Sequence, residues 1–316
     1  MNFKKMHNSE FNGLKSIYHP ITAQDLHTIS LMKEQLSSIK GKIEGPEARK
    51  PFDEVMESVK LPGDITFQEE TINGTSGWWC LPKSYNKESM ILYLHGGAYN
   101  VGSAKAYRNF VGHIAGESDT AAFIPDYRLA PENPYPVAVE DVELIYTGLI
   151  EKGYKNITIA GDSAGGGLAL ILLARTTKEG SSVIPSSGVV FSPWTDLKLE
   201  SLSLQSKAEE DILLTKESLK RDSERYLRGA DPLGQDASPL YGDLKGLLPI
   251  QVHVGEAEVL FGDSLRYSEK AFLSGVNLDL HIWEGMPHVF PSNIDKLSSA
   301  KIALEIAALF VKSWQG

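Results

Sequence analysis

The sequence predicts an α/β fold in which a mostly parallel sheet of eight strands is flanked by helices. Three observations carry this. Short runs rich in β-branched, aromatic and aliphatic residues recur at 65–72, 77–81, 90–95, 121–126, 156–160, 188–192, 250–255 and 277–283. Helical patterns separate most of the later runs, at 108–117, 136–152, 168–178, 263–274 and 294–314, and strands alternating with helices are the signature of parallel pairing. With 316 residues, 42% of them hydrophobic, the chain can fill one large core, alone or with a lid.

Taken in order, residues 21–42 place Ile21, Leu26, Ile29, Met32, Leu36 and Ile39 apolar, and from Leu26 onward the three-and-four spacing predicts an amphipathic helix with Thr22 as N-cap. A short helix is expected over 46–59. Gly63-Asp64 marks a turn into the first strand. The first two strands are joined only by the short turn 73–76, so the sheet is expected to begin antiparallel. Between Asp196 and Pro239 the alternation gives way to polar, charge-rich stretches such as Lys207-Ala208-Glu209-Glu210-Asp211. The expected organisation is an N-terminal helical cap segment over 1–60 and a main α/β domain over 61–316. Within that domain 197–239 is a cap insertion over the carboxyl edge of the sheet, where ligands of open α/β folds bind.

Lys+Arg total 31 against 41 Asp+Glu, a formal charge of −10 that repels phosphate backbones and anionic lipid surfaces. Nucleic acid is therefore not an expected partner. Lys4 and Lys5 have no apolar run behind them, and no stretch approaches about 18 consecutive apolar residues, so stable membrane insertion is not expected and a cytoplasmic location is. Cys80, the single cysteine, excludes an internal disulfide and a cysteine-based zinc cluster. Beside Trp78, Trp79 and Leu81 it reads as a small buried hydrophobe.

The chemistry is concentrated in a few motifs. Gly161-Asp162-Ser163-Ala164-Gly165 lies between the apolar run 157–160 and a helical stretch, which gives the order strand, tight turn, helix. Glycines on either side of the serine let the chain reverse and hold Oγ of Ser163 exposed as a nucleophile. His95-Gly96-Gly97-Ala98 ends the third candidate strand. A Gly-Gly loop lets backbone N–H groups turn together toward a tetrahedral oxyanion, and Ala164 adds an N–H from the first turn of a helix. The expected oxyanion hole is Gly96, Gly97 and Ala164.

Eight histidines compete for the role of base. His7, His19 and His27 precede the expected sheet, His113 falls in a helix, His253 and His281 fall inside strands, and His95 belongs to the glycine loop. His288 follows the last strand in a loop at the expected end of the sheet and is the chosen base. For the carboxylate that steadies its imidazolium, the order of preference is Glu258, Asp263, Glu256, with Asp263 read as the N-cap of the helix that follows. The chain order is then Ser, acid, His. Tyr99, Tyr127 and Trp194 stand near these motifs and are the candidate walls of a substrate pocket.

Together with Asp126-Tyr127-Arg128-Leu129-Ala130-Pro131-Glu132, Ser192-Pro193-Trp194-Thr195-Asp196-Leu197 and Gly285-Met286-Pro287-His288-Val289-Phe290, these motifs make the chain from residue 90 onward resemble the hormone-sensitive-lipase branch of the α/β-hydrolase superfamily, a group of serine carboxylesterases. The resemblance implies an N-terminal helical cap, hydrolysis of short- to medium-chain acyl esters through an acyl-enzyme, and no cofactor or metal. It departs from the family in two places. Ala98 stands where many members have a third glycine, and Glu258-Val259-Leu260 stands where many have an Asp-Pro-Leu-like segment. Lactone, amide or carbamate hydrolysis by the same triad is the alternative reading, with a non-catalytic ligand-binding receptor on the same fold behind it. The expected partner is a small-molecule ester, and the sequence leaves a homodimer open.

Overall fold

The computed structural model describes residues 7–11, 14–43, 45–178 and 181–315. Two strands, β1 (His7–Phe11) and β2 (Leu14–His19), precede helices α1 (Ala23–Leu36) and α2 (Arg49–Glu57). A hairpin of β3 (Ile65–Ile72) and β4 (Thr75–Pro82) follows. Strands and helices then alternate through β5 (Ser89–Leu94), α3 (Ala104–Ser118), β6 (Ala121–Pro125), α4 (Val137–Glu151), β7 (Asn156–Asp162), α5 (Ser163–Lys178) and β8 (Ser187–Phe191). The short α6 (Ser203–Ser206) and α7 (Lys216–Leu227) occupy the insertion, before β9 (Ile250–Gly255), α8 (Phe261–Leu273), β10 (Leu278–Trp283) and α9 (Ser298–Ser313).

The described strands form one sheet in the order β1-β2-β10-β9-β8-β7-β5-β6-β4-β3. Pairing is parallel from β2 across to β6 and antiparallel at both margins. The β3–β4 turn places Asn73 and Gly74 at φ 46° and 87°, the left-handed pair that suits a tight hairpin. Along β5, Met90, Leu92 and Leu94 pack toward α4 and α5, while Ile91 and Tyr93 pack toward α3 and α9. This alternation explains why a strand covered on both faces reads as one unbroken apolar run. Cys80 is fully buried in β4, as its neighbours suggested.

All eight expected strands are present, and β1 and β2 join them at the edge. The N-terminal segment 1–60 is thus not a helical cap throughout, since β2 pairs with β10 in the register Tyr18↔Ile282 and His19↔Trp283. The pairing partner lies at the other end of the chain, so no local pattern announces the strand. Consequently His7 and His19 lie in the sheet, not ahead of it. His19 Nε2 sits 2.9 Å from His281 Nδ1, and its ring stacks on Trp283 at 3.8 Å. Burial holds His19 down at about 4 and His281 at about 3, so these imidazoles are neutral packing groups at pH 7.

Thr22 caps α1, its hydroxyl accepting from Asp25 N at 3.0 Å. Asp25 in turn caps α9: its carboxylate accepts from the N–H and hydroxyl groups of both Ser298 and Ser299 at 2.7–3.0 Å. The α1 end is also tied to the insertion, with Lys33 Nζ and Lys40 Nζ donating to Glu209 O and Ala208 O, and Gly41 N donating to Leu213 O. The N-terminal helices and segment 197–239 therefore meet above the carboxyl ends of the central strands.

Candidate active site

The turn from β7 into α5 places Ser163 at φ 52°, a left-handed conformation that serine adopts only under constraint. The constraint is close packing. A Cβ on Gly165 would lie 2.1 Å from Leu94 O and 2.2 Å from His95 O, so only glycine lets α5 start this near β5. Small residues carry the helix back to Ser163 itself, five residues before the expected start.

His288 lies in the loop after β10, with Nε2 2.9 Å from Ser163 Oγ and Nδ1 hydrogen-bonded to Glu258 Oε2. With a carboxylate at Nδ1, the neutral ring carries its proton there and leaves Nε2 to accept from the serine hydroxyl. The other oxygen, Glu258 Oε1, accepts from Ser192 Oγ at 2.7 Å and Gly255 N at 3.0 Å. Ser192 Oγ also accepts from Val289 N at 3.1 Å, so one hydroxyl links the acid to the residue after the histidine. Burial alone would depress the His288 pKa. The charge and hydrogen bond of Glu258, helped by Asp211 and Asp162, outweigh that and hold it above its ordinary value.

The other two acid candidates are engaged elsewhere. Glu256 Oε2 accepts from Tyr18 OH at 3.2 Å. Asp263 is not an N-cap: α8 begins two residues earlier, with Leu260 at the cap position. Its buried carboxylate accepts from Thr195 N and Asp196 N, both at 2.9 Å, and burial beside Asp196 pushes its pKa up to about 8.

The glycine loop requires a second correction. Gly96 donates its N–H to Asp162 Oδ1 at 3.0 Å, so it is not free to bind an oxyanion. Its glycine identity has a packing cause, because a Cβ there would fall 2.2 Å from Asp162 Oδ2. Gly97 (φ 114°) and Ala98 (φ 52°) line the cavity above the serine, and their N–H groups donate to no acceptor among the described residues. Ala164 lies in the first turn of α5, where an N–H has no carbonyl behind it in the helix. Asp162 is a buried anchor for this region, accepting also from Tyr93 OH at 2.9 Å and Tyr107 OH at 3.1 Å. Burial raises its pKa to about 6 against those bonds. His95 supports the loop by hydrogen bonding. Its Nδ1 bonds Gly96 O at 2.7 Å, its own carbonyl accepts from Tyr127 OH at 2.6 Å, and burial holds its pKa near 4.

A cavity of about 280 Å³ opens onto Ser163 and His288. Its apolar wall comes from Met32 and Leu36 of α1, Phe52 and Met56 of α2, and Leu214 and Leu219 of the insertion. The three aromatic residues expected to form that wall do not reach it. Tyr99 stacks on Tyr226 at 3.8 Å, Tyr127 stacks on His95 at 4.3 Å, and Trp194 donates Nε1–H to Asp196 O at 3.2 Å. All three are buried in the packing that supports the motifs, because residues next to a functional loop in sequence are often those that hold it from behind. Asp162 and Ser192 support the site although the sequence reading gives them no role; the available signal is an acid directly before the serine of the Gly-rich turn, and a lone hydroxyl between Phe191 and Pro193 at the end of an apolar strand.

Comparison with known proteins gives a consistent picture. Residues 91–292 match the family described as alpha/beta hydrolase fold. An acetyl-hydrolase of Streptomyces hygroscopicus is 35% identical over 257 residues, covering 81% of this chain and 84% of its own. An esterase of Acinetobacter venetianus is 37% identical over 227 residues, covering 71% and 75%. Among solved structures, an esterase from the bacterial hormone-sensitive lipase family superposes with a TM-score of 0.87 at 32% identity, covering 93% of this chain and 99% of the other. Among the described residues, no helix is long and apolar enough to cross a membrane.

Proposed function

The chain belongs to the α/β-hydrolase fold family and is a carboxylic-ester hydrolase of the hormone-sensitive-lipase type, and from that premise we propose that Ser163, His288 and Glu258 are its catalytic triad. His288 takes the Ser163 proton as Oγ attacks the ester carbonyl, and Glu258 steadies the imidazolium. The oxyanion is held by the N–H groups of Gly97, Ala98 and Ala164, each contributing about 3 kcal/mol to the transition state. His288 then protonates the departing alcohol, and the serine is left acylated. Water, deprotonated by the same histidine, attacks the acyl-enzyme and releases the acid and free Ser163. The observation that carries the reading is the position of His288, bonded on one side to Ser163 Oγ and on the other to Glu258.

The substrate class is esters with short- to medium-chain acyl groups. The apolar wall supplied by α1, α2 and the 197–239 insertion supports this, with those three segments acting as the cap. So does the acetyl group named for one relative. Turnover of p-nitrophenyl acetate and butyrate by Ser163→Ala is the test. Loss of turnover with an unchanged circular dichroism spectrum is expected, and undiminished turnover refutes the assignment. A rate optimum at acyl chains beyond about ten carbons contradicts the substrate class, because a cavity of this size favours shorter chains.

A further inference from the structure

Helix α2 touches both the cavity and the loop that carries the Gly97 and Ala98 N–H groups. Phe52 and Met56, four residues apart, face the cavity. On the neighbouring stripe of the same helix, Arg49 and Asp53 reach the loop. Arg49 Nε donates to Asn100 O at 2.9 Å, and its Nη2 donates to Ala130 O at 2.9 Å. Asp53 Oδ2 accepts from Ser103 Oγ at 2.9 Å. Ser103 Oγ also accepts from Ala106 N at 3.2 Å, which caps α3.

The loop needs such support. Gly97, Ala98, Tyr99 and Gly102 all have positive φ, and at the two non-glycine positions this costs about 1–3 kcal/mol each. Asn100 N and Val101 N bond back to Gly97 O at 2.9 and 3.0 Å, which closes the turn but does not fix it to the body. Asp162 holds one end through Gly96, Ala130 N donates to Tyr99 O at 2.8 Å in the middle, and α2 holds the other end through Arg49 and Asp53.

We propose that Arg49 and Asp53 are positioning residues through which an ester chain lying on α2 holds the Gly97–Ala98 loop in its oxyanion-binding shape. The inference rests on the reading of Ser163 as nucleophile and of Gly97 and Ala98 as donors. The nine-residue α2 is shorter than the roughly 12 residues at which an isolated helix begins to persist in water, so its order comes from what packs on it. A substrate chain against Phe52 and Met56 adds to that packing. Binding energy gained far from the reacting carbon then reaches the chemical step through two side chains, and it registers in kcat more than in KM.

The test uses the full chain and compares steady-state kcat and KM for p-nitrophenyl acetate and hexanoate. In the unaltered protein kcat is expected to be higher for hexanoate. In Arg49→Ala and Asp53→Asn the hexanoate kcat is expected to fall about tenfold to a hundredfold, KM to change less than about threefold, and the advantage over acetate to disappear. Arg49→Lys can reach one carbonyl but not both, so an intermediate loss is expected, and this variant carries the test if Arg49→Ala does not fold. Glu132→Gln removes only the exposed ion-pair partner of Arg49 and should leave both constants within about twofold. A rise in KM at constant kcat, or no change in either variant, overturns the proposal. Fluorophosphonate labelling of Ser163, read by peptide mass, separates the two levels. Absence of label in the unaltered protein overturns the triad reading, whereas normal labelling with unchanged kcat in the variants overturns only the role of α2.

Discussion

Gly96 donates its backbone N–H to Asp162 Oδ1, which turns the first glycine of the pair into an anchor and shifts the proposed oxyanion donors one residue along, to Gly97 and Ala98. The Asp162 carboxylate accepts from three donors at once. Asp162→Asn presents an amide that cannot accept on both sides, and a buried donor left unsatisfied costs about 1–3 kcal/mol. The kcat for butyrate is expected to fall about tenfold to a hundredfold while Ser163 remains reactive to fluorophosphonate. An unchanged kcat removes Asp162 from the account.

The acid is tested by a pH profile. His288 must be neutral to act as base, so kcat/KM rises with pH through a pKa that lies above the ordinary imidazole value of about 6.5. Glu258→Gln removes the charge that raises it. The acid limb should move to lower pH, and kcat should fall by about a hundredfold or more. Asp263 already holds its proton near neutral pH, with a pKa of about 8, so Asp263→Asn should leave the limb in place and kcat within about threefold. The opposite pattern reverses the assignment.

A third prediction concerns stability. Burial raises the Asp25 pKa, but the hydrogen bonds from Ser298 and Ser299 outweigh it and hold the carboxyl below its usual range. A folded pKa below the unfolded one means the native state binds fewer protons. The contribution is therefore present above the unfolded value and is lost as pH falls through the folded one. Asp25→Ala should cost about 2 kcal/mol or more at pH 7, with a smaller difference at acid pH, by denaturant unfolding. A difference that does not change with pH contradicts the charged cap.

The cavity wall gives a fourth. Leu214→Trp, in the insertion, fills space beside Leu219 and should lower kcat/KM for hexanoate about tenfold or more while leaving acetate within about threefold. Equal losses for both esters would mean that Leu214 does not meet the chain.

The legible parts of this protein are those in which a local backbone requirement selects the residue. Gly165 must be glycine because the carbonyls of Leu94 and His95 lie where its side chain would be, and Ser163 is read from that constraint. His288 is legible by position, because the loop after the last strand opens at the carboxyl edge. What the sequence did not disclose depends on distant partners. Strand β2 exists through β10, and the cavity wall is assembled from three segments that meet only in the fold. Gly96 and Gly97 are adjacent and identical, and only the carboxylate of Asp162 makes one an anchor and leaves the other open. Tyr99, Tyr127 and Trp194 illustrate the converse, being near the motifs in sequence and behind them in space.

The most direct measurement is the peptide mass of enzyme quenched during turnover of p-nitrophenyl butyrate, in the unaltered protein and in His288→Ala. The account predicts a butyryl group on the peptide containing Ser163 in the former and its loss in the latter. An acyl group on any other residue, or turnover at full rate with Ser163 replaced by alanine, contradicts it.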